Sequence, residues 1–226
     1  MWRMSDRVDA VVIGAGVIGS SVALELSRSG RSVVVVDKGP AAGAGSTSSS
    51  SSIIRFSYST LDSVLTAWEA AAMWVDWGGH LGCVDPDGMA RFVKTGMCIF
   101  NTPGDNTVRV QRLWDELGIA YEVVGAERLQ QLLPGMDLGA YFPPKRIDDP
   151  AFADDPHATL TAILETESGF MDDPMLCAKN LAYAARRHGA QHARRFSHRD
   201  EMIAAPAGRA APADPVATSV YIGNPR

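Results

Sequence analysis

The sequence predicts an α/β fold opening on a parallel sheet, and three observations near its start predict it. Ala10–Ile13 is a short, continuous apolar run of the kind found in a buried parallel strand. Gly14, Gly16 and Gly19 follow it in the pattern G-x-G-x-x-G. A second apolar run, residues 33–36, closes on Asp37. In order these are strand, glycine turn, helix, strand and acid, a unit of roughly thirty residues with the spacing of a dinucleotide-binding βαβ motif.

Each part of that unit has its own task. Gly14 permits the tight turn, Gly16 lets a pyrophosphate approach the backbone, and Gly19 lets the helix lie close on the strand. Val17 and Ile18 lie within the glycine turn as candidate cofactor-binding residues, and the helix is read over residues 20–31 with Gly30 as its stop. Its N-terminus offers free N–H groups and a positive dipole end to phosphates. Val22, Ala23, Leu24 and Leu26 form its expected buried side. Asp37, with Lys38 beside it, stands where a ribose diol would donate hydrogen bonds. This Rossmann-like pattern suits FAD and NAD alike, but a carboxylate at position 37 repels a 2′-phosphate and so argues against NADP.

The bulk properties narrow the class. The chain has 226 residues, room for one large domain or two small ones, and a formal net charge of −5. An acidic balance gives no support to nucleic-acid binding. No run is long enough to span a membrane. Residues 1–7 lack an apolar signal region, so a cytoplasmic location is expected. Cys83, Cys98 and Cys177 have no metal-ligand spacing, and reduced thiols with no metal site are expected.

Beyond Asp37 a loop of small residues runs to Ser52. Its Ser46, Thr47, Ser48 and Ser49 lie at the carboxyl edge of the sheet, where α/β folds bind ligands. Residues 61–77 read as a helix with Leu65, Trp68, Ala72 and Val75 inward and Gly78-Gly79 as its stop. Trp68, Trp74 and Trp77 read as packing residues, and His80 as an ordinary polar residue at the helix end. Residues 85–88 read as a turn and 92–100 as one strand, with Gly96 close to another backbone. A helix over 108–117 with Val108, Leu113, Trp114 and Leu117 inward, a strand at Tyr121–Val124 and a helix over 126–133 follow. Asp148, Asp149, Asp154 and Asp155 lie in a Pro- and Asp-rich loop whose spacing does not match a calcium site. A strand over 160–165 precedes a helix with Asp173 as N-cap and Pro174 in its first turn, closing at His188-Gly189.

Residues 53–58 read Ile-Ile-Arg-Phe-Ser-Tyr. With the glycine fingerprint, the acid and the small-residue loop, they resemble the FAD-dependent amine oxidoreductases of the D-amino-acid oxidase superfamily. The nearest likeness is to the sarcosine oxidase, sarcosine dehydrogenase and glycine oxidase branch, whose sarcosine-oxidase-like members carry Ile-Ile-Arg-x-x-Tyr here. The resemblance implies FAD, its ADP half held by Gly14, Gly16, Gly19 and Asp37. It implies oxidation of the C–N bond of an amino acid or an N-methylated amine such as sarcosine. Arg55 would face the flavin pocket and pair with the substrate carboxylate, with Tyr58 beside it. An α+β substrate domain would be interposed between pieces of the FAD domain, with residues 168–190 as the return.

Two departures bear on that picture. Some sarcosine oxidases have another arginine where Ser52 stands. Residues 40–66 contain neither His nor Trp, so the histidine that some dehydrogenases bond to the flavin has no counterpart, and non-covalent FAD is expected. The resulting division is a first FAD-domain part over 1–84, a substrate-domain segment over 85–167, a return over 168–190 and a disordered tail over 191–226. The C-terminal part of the family's fold is then missing, through a shortened gene or a reading frame shifted near Gln191. The alternative readings are a truncated, non-catalytic nucleotide-binding fragment and an NAD-dependent dehydrogenase. The sequence names no electron acceptor and no oligomeric state.

Overall fold

In the computed structural model, residues 7–102 and 106–194 are described, and the opening elements are those the glycine pattern calls for. Strand β1 (Ala10–Ile13), helix α1 (Val17–Arg28) and strand β2 (Val33–Asp37) lead into a 3-10 turn over Ser46–Ser49. Strand β3 (Ile53–Ile54), helices α2 (Leu61–Val75) and α3 (Trp77–Leu81), and strands β4 (Phe92–Lys94) and β5 (Met97–Phe100) follow. Next come α4 (Thr107–Leu117), β6 (Tyr121–Val124) and α5 (Ala126–Leu132). The last elements are β7 (Ala162–Glu165), β8 (Gly169–Met171), α6 (Pro174–Arg187) and β9 (Gln191–Arg194). The chain divides into a first unit of residues 1–52, 73–92 and 171–226, and a second of 53–72 and 93–170. Residues 53–72, expected in the first FAD-domain part, thus fall in the same unit as residues 93–170.

In the first unit β2 lies between β1 and β9, parallel to both. Its four valines are buried, as a strand with a neighbour on each side requires. Helix α1 buries Ser20, Ala23, Leu24 and Ser27 and packs along α6, whose buried Ala178, Ala182 and Ala185 are small enough for close approach. Val22 and Leu26 are only half-buried. The buried Ser27 hydroxyl donates to the Ala23 carbonyl at 2.7 Å, so it carries no unmet polar demand. Strand β1 differs from expectation: Val11 is 52% and Ile13 61% exposed. Among the described residues β1 pairs only with β2, so one face and one edge of it stay uncovered.

The expected tail does not start at Gln191. Residues 191–194 form β9 in register with residues 34–37 of β2. Backbone pairing places this strand, although Gln-His-Ala-Arg has none of the apolar character of its neighbour. The rest of the expected disordered tail, residues 195–226, lies outside the described residues. His192 sits opposite Val35, and both its ring nitrogens are buried without a hydrogen-bond partner.

The helix expected over 61–77 breaks in two. The Asp76 carboxylate accepts from the Gly79 N–H at 3.0 Å and caps a new helix, α3, so Gly78 and Gly79 lie inside an element rather than ending one. Gly82, at φ +66°, ends α3. Trp77 is buried, and Trp74 stacks on it at 5.1 Å, as packing residues should. Asn180 ties the 85–88 turn to α6. Its Oδ1 accepts from Trp77 Nε1 (3.3 Å) and Ala90 N (3.0 Å), while its Nδ2 donates to Asp85 Oδ2 (3.0 Å) and the Gly88 carbonyl (2.8 Å).

The second unit is built on an antiparallel sheet in the order β5-β7-β6. One core cluster gathers Phe56, Val64, Val110, Trp114, Ile119 and Ile163; another gathers Val124, Leu129, Leu138 and Ala162. Helix α2 is rotated from its expected face and buries Val64 rather than Leu65, whereas α4 keeps its expected face, with Trp114 buried and Leu113 and Leu117 packed on the core, but buries Val110 while Val108 is 60% exposed. The strand expected over 92–100 breaks at Gly96, whose φ is +69° and whose Cβ, were there one, would lie 2.8 Å from the Glu165 carbonyl oxygen. The close backbone approach expected of Gly96 is there, and it is what bends the strand. A further strand, β8, stands between β3 and β4 where the sequence suggested only a lead-in to α6. Residues 141–150 are all exposed. Among the described residues no helix is long and apolar enough to cross a membrane, and no acidic, His or Cys group has the makings of a metal site.

Burial first, then the charge of Arg186, lowers the pKa of His192. The folded chain thus favours neutral imidazole, and stability is full above the unfolded value of 6.5 and declines as pH falls below it. Replacing His192 with Val removes two unmet polar atoms and is expected to add roughly 1–3 kcal/mol. Thermal unfolding of both forms between about pH 8 and pH 5 checks this: the gain should widen on acidification, and a constant or negative difference would contradict it.

Candidate cofactor site

The site grows from the turn after β1. Gly14 takes φ +102°, a conformation that suits glycine, and its N–H donates to the Val36 carbonyl at 2.7 Å, carrying the strand pairing into the turn. A Cβ on Gly19 would fall 1.9 Å from the Gly14 carbonyl oxygen, so α1 meets this turn at a distance only glycine allows. A Cβ on Gly16 would lie 3.0 Å from Thr47 Oγ1. The first turn of α1 has no acidic residue, and Gly16 gives it no side-chain cap. Its Val17 N–H donates to the Thr47 hydroxyl at 3.1 Å. A helix start of this kind is electropositive and suited to an anion.

Asp37, half-buried at the end of β2, faces the same turn. Its Oδ2 accepts from the Ala15 N–H at 2.6 Å and its Oδ1 from the Gly39 N–H at 2.5 Å. A carboxylate offers about four acceptor positions. The chain uses one on each oxygen, which leaves as many as a vicinal diol has hydroxyls. The small-residue loop is folded back on the turn: Gly43, at φ +78°, donates its N–H to the Ala15 carbonyl at 2.8 Å, and Ser48 donates its N–H to the Gly43 carbonyl at 3.0 Å. Beside Asp37 opens a cavity of about 180 Å³, lined among others by Ala15, Val35, Gly39, Lys179 and His192.

Most residues expected at this site meet here. Gly14, Gly16, Val17, Gly19, Asp37 and Thr47 are neighbours through the contacts above. Ile18 belongs to the first turn of α1, with its side chain exposed. Ser46, Ser48 and Ser49 lie in the 3-10 turn with Thr47; Ser48 Oγ turns back to the Gly45 carbonyl at 2.9 Å. Lys38 is exposed. Sequence reasoning missed Ala15, Gly39 and Gly43, which act through backbone groups; the spacing of Gly39 two residues after an acid was the available signal. These groups suit the ADP half of FAD: a cradle without side chains, a helix start for phosphate and a carboxylate with free acceptor positions.

Arg55 and Tyr58 belong to the second unit. The exposed Arg55 guanidinium donates from Nη1 to the Ser57 carbonyl (2.8 Å) and to Ser57 Oγ (2.8 Å), and lies 4.8 Å from the centre of the Tyr58 ring. It has no carboxylate partner among the described residues. Ser52, where some relatives have arginine, donates its hydroxyl to the Met171 carbonyl at 2.6 Å. Two thiols are held protonated: burial pushes Cys98 up, and burial followed by the charges of Asp173 and Asp172 pushes Cys177 up to about 12.

Gly19→Ala should be among the most damaging single changes in the first unit. The added methyl meets backbone rather than a movable side chain, so a loss of about 3 kcal/mol or more is expected. Chemical denaturation reads it, and a variant as stable as the parent would show that the turn is looser than described.

The chain matches the family described as DAO, FAD dependent oxidoreductase, over residues 9–197. The mitochondrial L-2-hydroxyglutarate dehydrogenase of Arabidopsis thaliana is 47% identical over 50 residues, 22% of this chain and 10% of that protein. Among solved structures, L-proline dehydrogenase from P. horikoshii superposes with a TM-score of 0.62 at 20% identity, over 83% of this chain and 44% of that one. Glycine oxidase from Geobacillus kaustophilus gives 0.62 at 20% identity, over 84% and 47%. L-amino acid deaminase from Proteus vulgaris gives 0.61 at 20% identity, over 86% and 46%. The chain thus spans less than half the length of these structures, and at such identity the likeness is one of fold. Family match, fold and glycine-turn geometry agree: this chain belongs to the DAO family of FAD-dependent oxidoreductases.

Proposed function

We propose that this chain holds FAD through its first unit and serves oxidation of an amino acid or N-methylated amine, such as sarcosine, at the carbon beside nitrogen. One observation carries the substrate side of this reading. Arg55 presents an exposed guanidinium without a carboxylate partner among the described residues, within the Ile-Ile-Arg-x-x-Tyr segment. A planar fork of donors is the group that holds a small carboxylate in one orientation. FAD supplies the hydride acceptor when bound. The residues supply the rest: Asp37 takes the ribose diol on its two open acceptor positions, the α1 N-terminus and Thr47 receive the pyrophosphate, and Arg55 fixes the substrate carboxylate.

A second reading has a specific observation behind it. The 47% identity over 50 residues with L-2-hydroxyglutarate dehydrogenase favours a 2-hydroxy acid, oxidised at C–O rather than C–N. Arg55 would hold the carboxylate in either case. Flavin bleaching by sarcosine or proline but not by 2-hydroxyglutarate supports the amine; the reverse supports the hydroxy acid.

Two substitutions test the parts separately. Asp37→Ala should weaken FAD binding by about 1.5–3 kcal/mol for each hydrogen bond lost; titration of the apoprotein with FAD measures it, and equal affinities would remove Asp37 from the site. Arg55→Lys keeps the charge but loses the fork, so the substrate concentration for half-maximal flavin reduction should rise about tenfold while FAD affinity stays put. Unchanged saturation would refute the anchor.

A further inference from the structure

The guanidinium of Arg55 is not equally open on all sides. Arginine has five N–H donors, two on each terminal nitrogen and one on Nε. Nη1 lies 2.8 Å from the Ser57 carbonyl oxygen and 2.8 Å from Ser57 Oγ, so both of its protons are taken. The Ser57 hydroxyl can accept in this way because its own proton points toward the Met97 sulfur, 3.9 Å away. The Tyr58 ring covers one face of the guanidinium, with its centre 4.8 Å from the central carbon. Ser57 is in turn well anchored: the neighbouring Phe56 is fully buried, and its carbonyl accepts from Trp114 Nε1 at 3.0 Å.

We infer that Ser57 is a positioning residue for Arg55, and that it closes the end-on fork so that a carboxylate is received only on the side edge, by Nε–H and one N–H of Nη2. This rests on the reading of Arg55 as the carboxylate anchor and adds which edge is used and what selects it. Two bonds from one residue hold the side chain in place before the ligand arrives, which reduces the ordering that binding must impose. A carboxylate seated on the side edge lies in the guanidinium plane, on the flank opposite Ser57. A substrate is then accepted by the orientation of its carboxylate as well as by its charge.

The test uses the purified full chain with acetate as the carboxylate probe and methylamine as a control cation. In ¹⁵N-labelled protein the Arg55 Nε–H resonance, assigned by its disappearance in Arg55→Lys, should shift as acetate is added and stay still with methylamine. Ser57→Ala should weaken acetate about 3- to 10-fold, and Ser57→Thr, which keeps the hydroxyl, should restore most of the loss. Three outcomes overturn the inference. Acetate affinity that falls in Arg55→Lys but not in Ser57→Ala leaves Arg55 as the anchor and removes Ser57's role. An Nε–H that stays still while acetate binds with Arg55-dependent affinity removes the side edge. Acetate that fails to bind, or binds equally to Arg55→Lys, removes the anchor and the inference with it.

Discussion

One carboxylate holds the ligand edge of the first unit together. Asp37 receives the Ala15 N–H from the turn after β1 and the Gly39 N–H from the turn after β2. Bonds from backbone N–H to an ionised acceptor are worth about 1.5–3 kcal/mol each, enough to fix two turns that have few side chains to pack. The Gly43 N–H then closes on the Ala15 carbonyl, so the loop beyond inherits the same anchor. All of this depends on β2 delivering Asp37 to a fixed point, which its four buried valines ensure. The strand supplies rigidity, the acid converts it into loop order, and the glycines leave a ligand room to approach.

Buried polar groups elsewhere follow the same logic. Asn180 uses its amide in both directions to hold the turn of residues 85–88 against α6. Glu165, 1% exposed, accepts from the Ser168 N–H at 2.9 Å and from the Ser168 hydroxyl, folding the chain between β7 and β8. Each satisfied group selects one arrangement of its loop, since any other would strand it in an apolar interior. His192 is the contrast. It has been placed by the backbone of β9 opposite Val35, where neither ring nitrogen finds a hydrogen-bond partner.

How much of this was legible in the sequence varies with the kind of interaction. The β1-α1-β2 unit and the place of Asp37 at its end, facing the glycine turn, could be read because glycine spacing, apolar runs and a terminal acid are local signals. Helix faces were harder. Leu65 and Val64, or Val108 and Val110, satisfy similar periodicities, and only the partners across the core decide which turns inward. The break between α2 and α3 was concealed because Gly78-Gly79 looked like a stop, while the Asp76 cap three residues before Gly79 is a start. Strand β9 was concealed because pairing with β2 needs only its backbone. At the site, Thr47 stood out as a hydroxyl, but Ala15, Gly39 and Gly43 act through N–H and C=O groups that side-chain chemistry does not advertise.

Cys177 lies on the buried side of α6, the helix that carries Asn180 and packs along α1. With its thiol pushed up to about 12, almost none of it is thiolate near neutral pH while the helix stays docked. An alkylating reagent therefore meets a reactive sulfur there only when the helix lifts away and the thiol regains its ordinary acidity. The labelling rate of this cysteine is thus a built-in clock for local opening of the first unit, reporting how often α6 comes away from α1 without the whole chain unfolding.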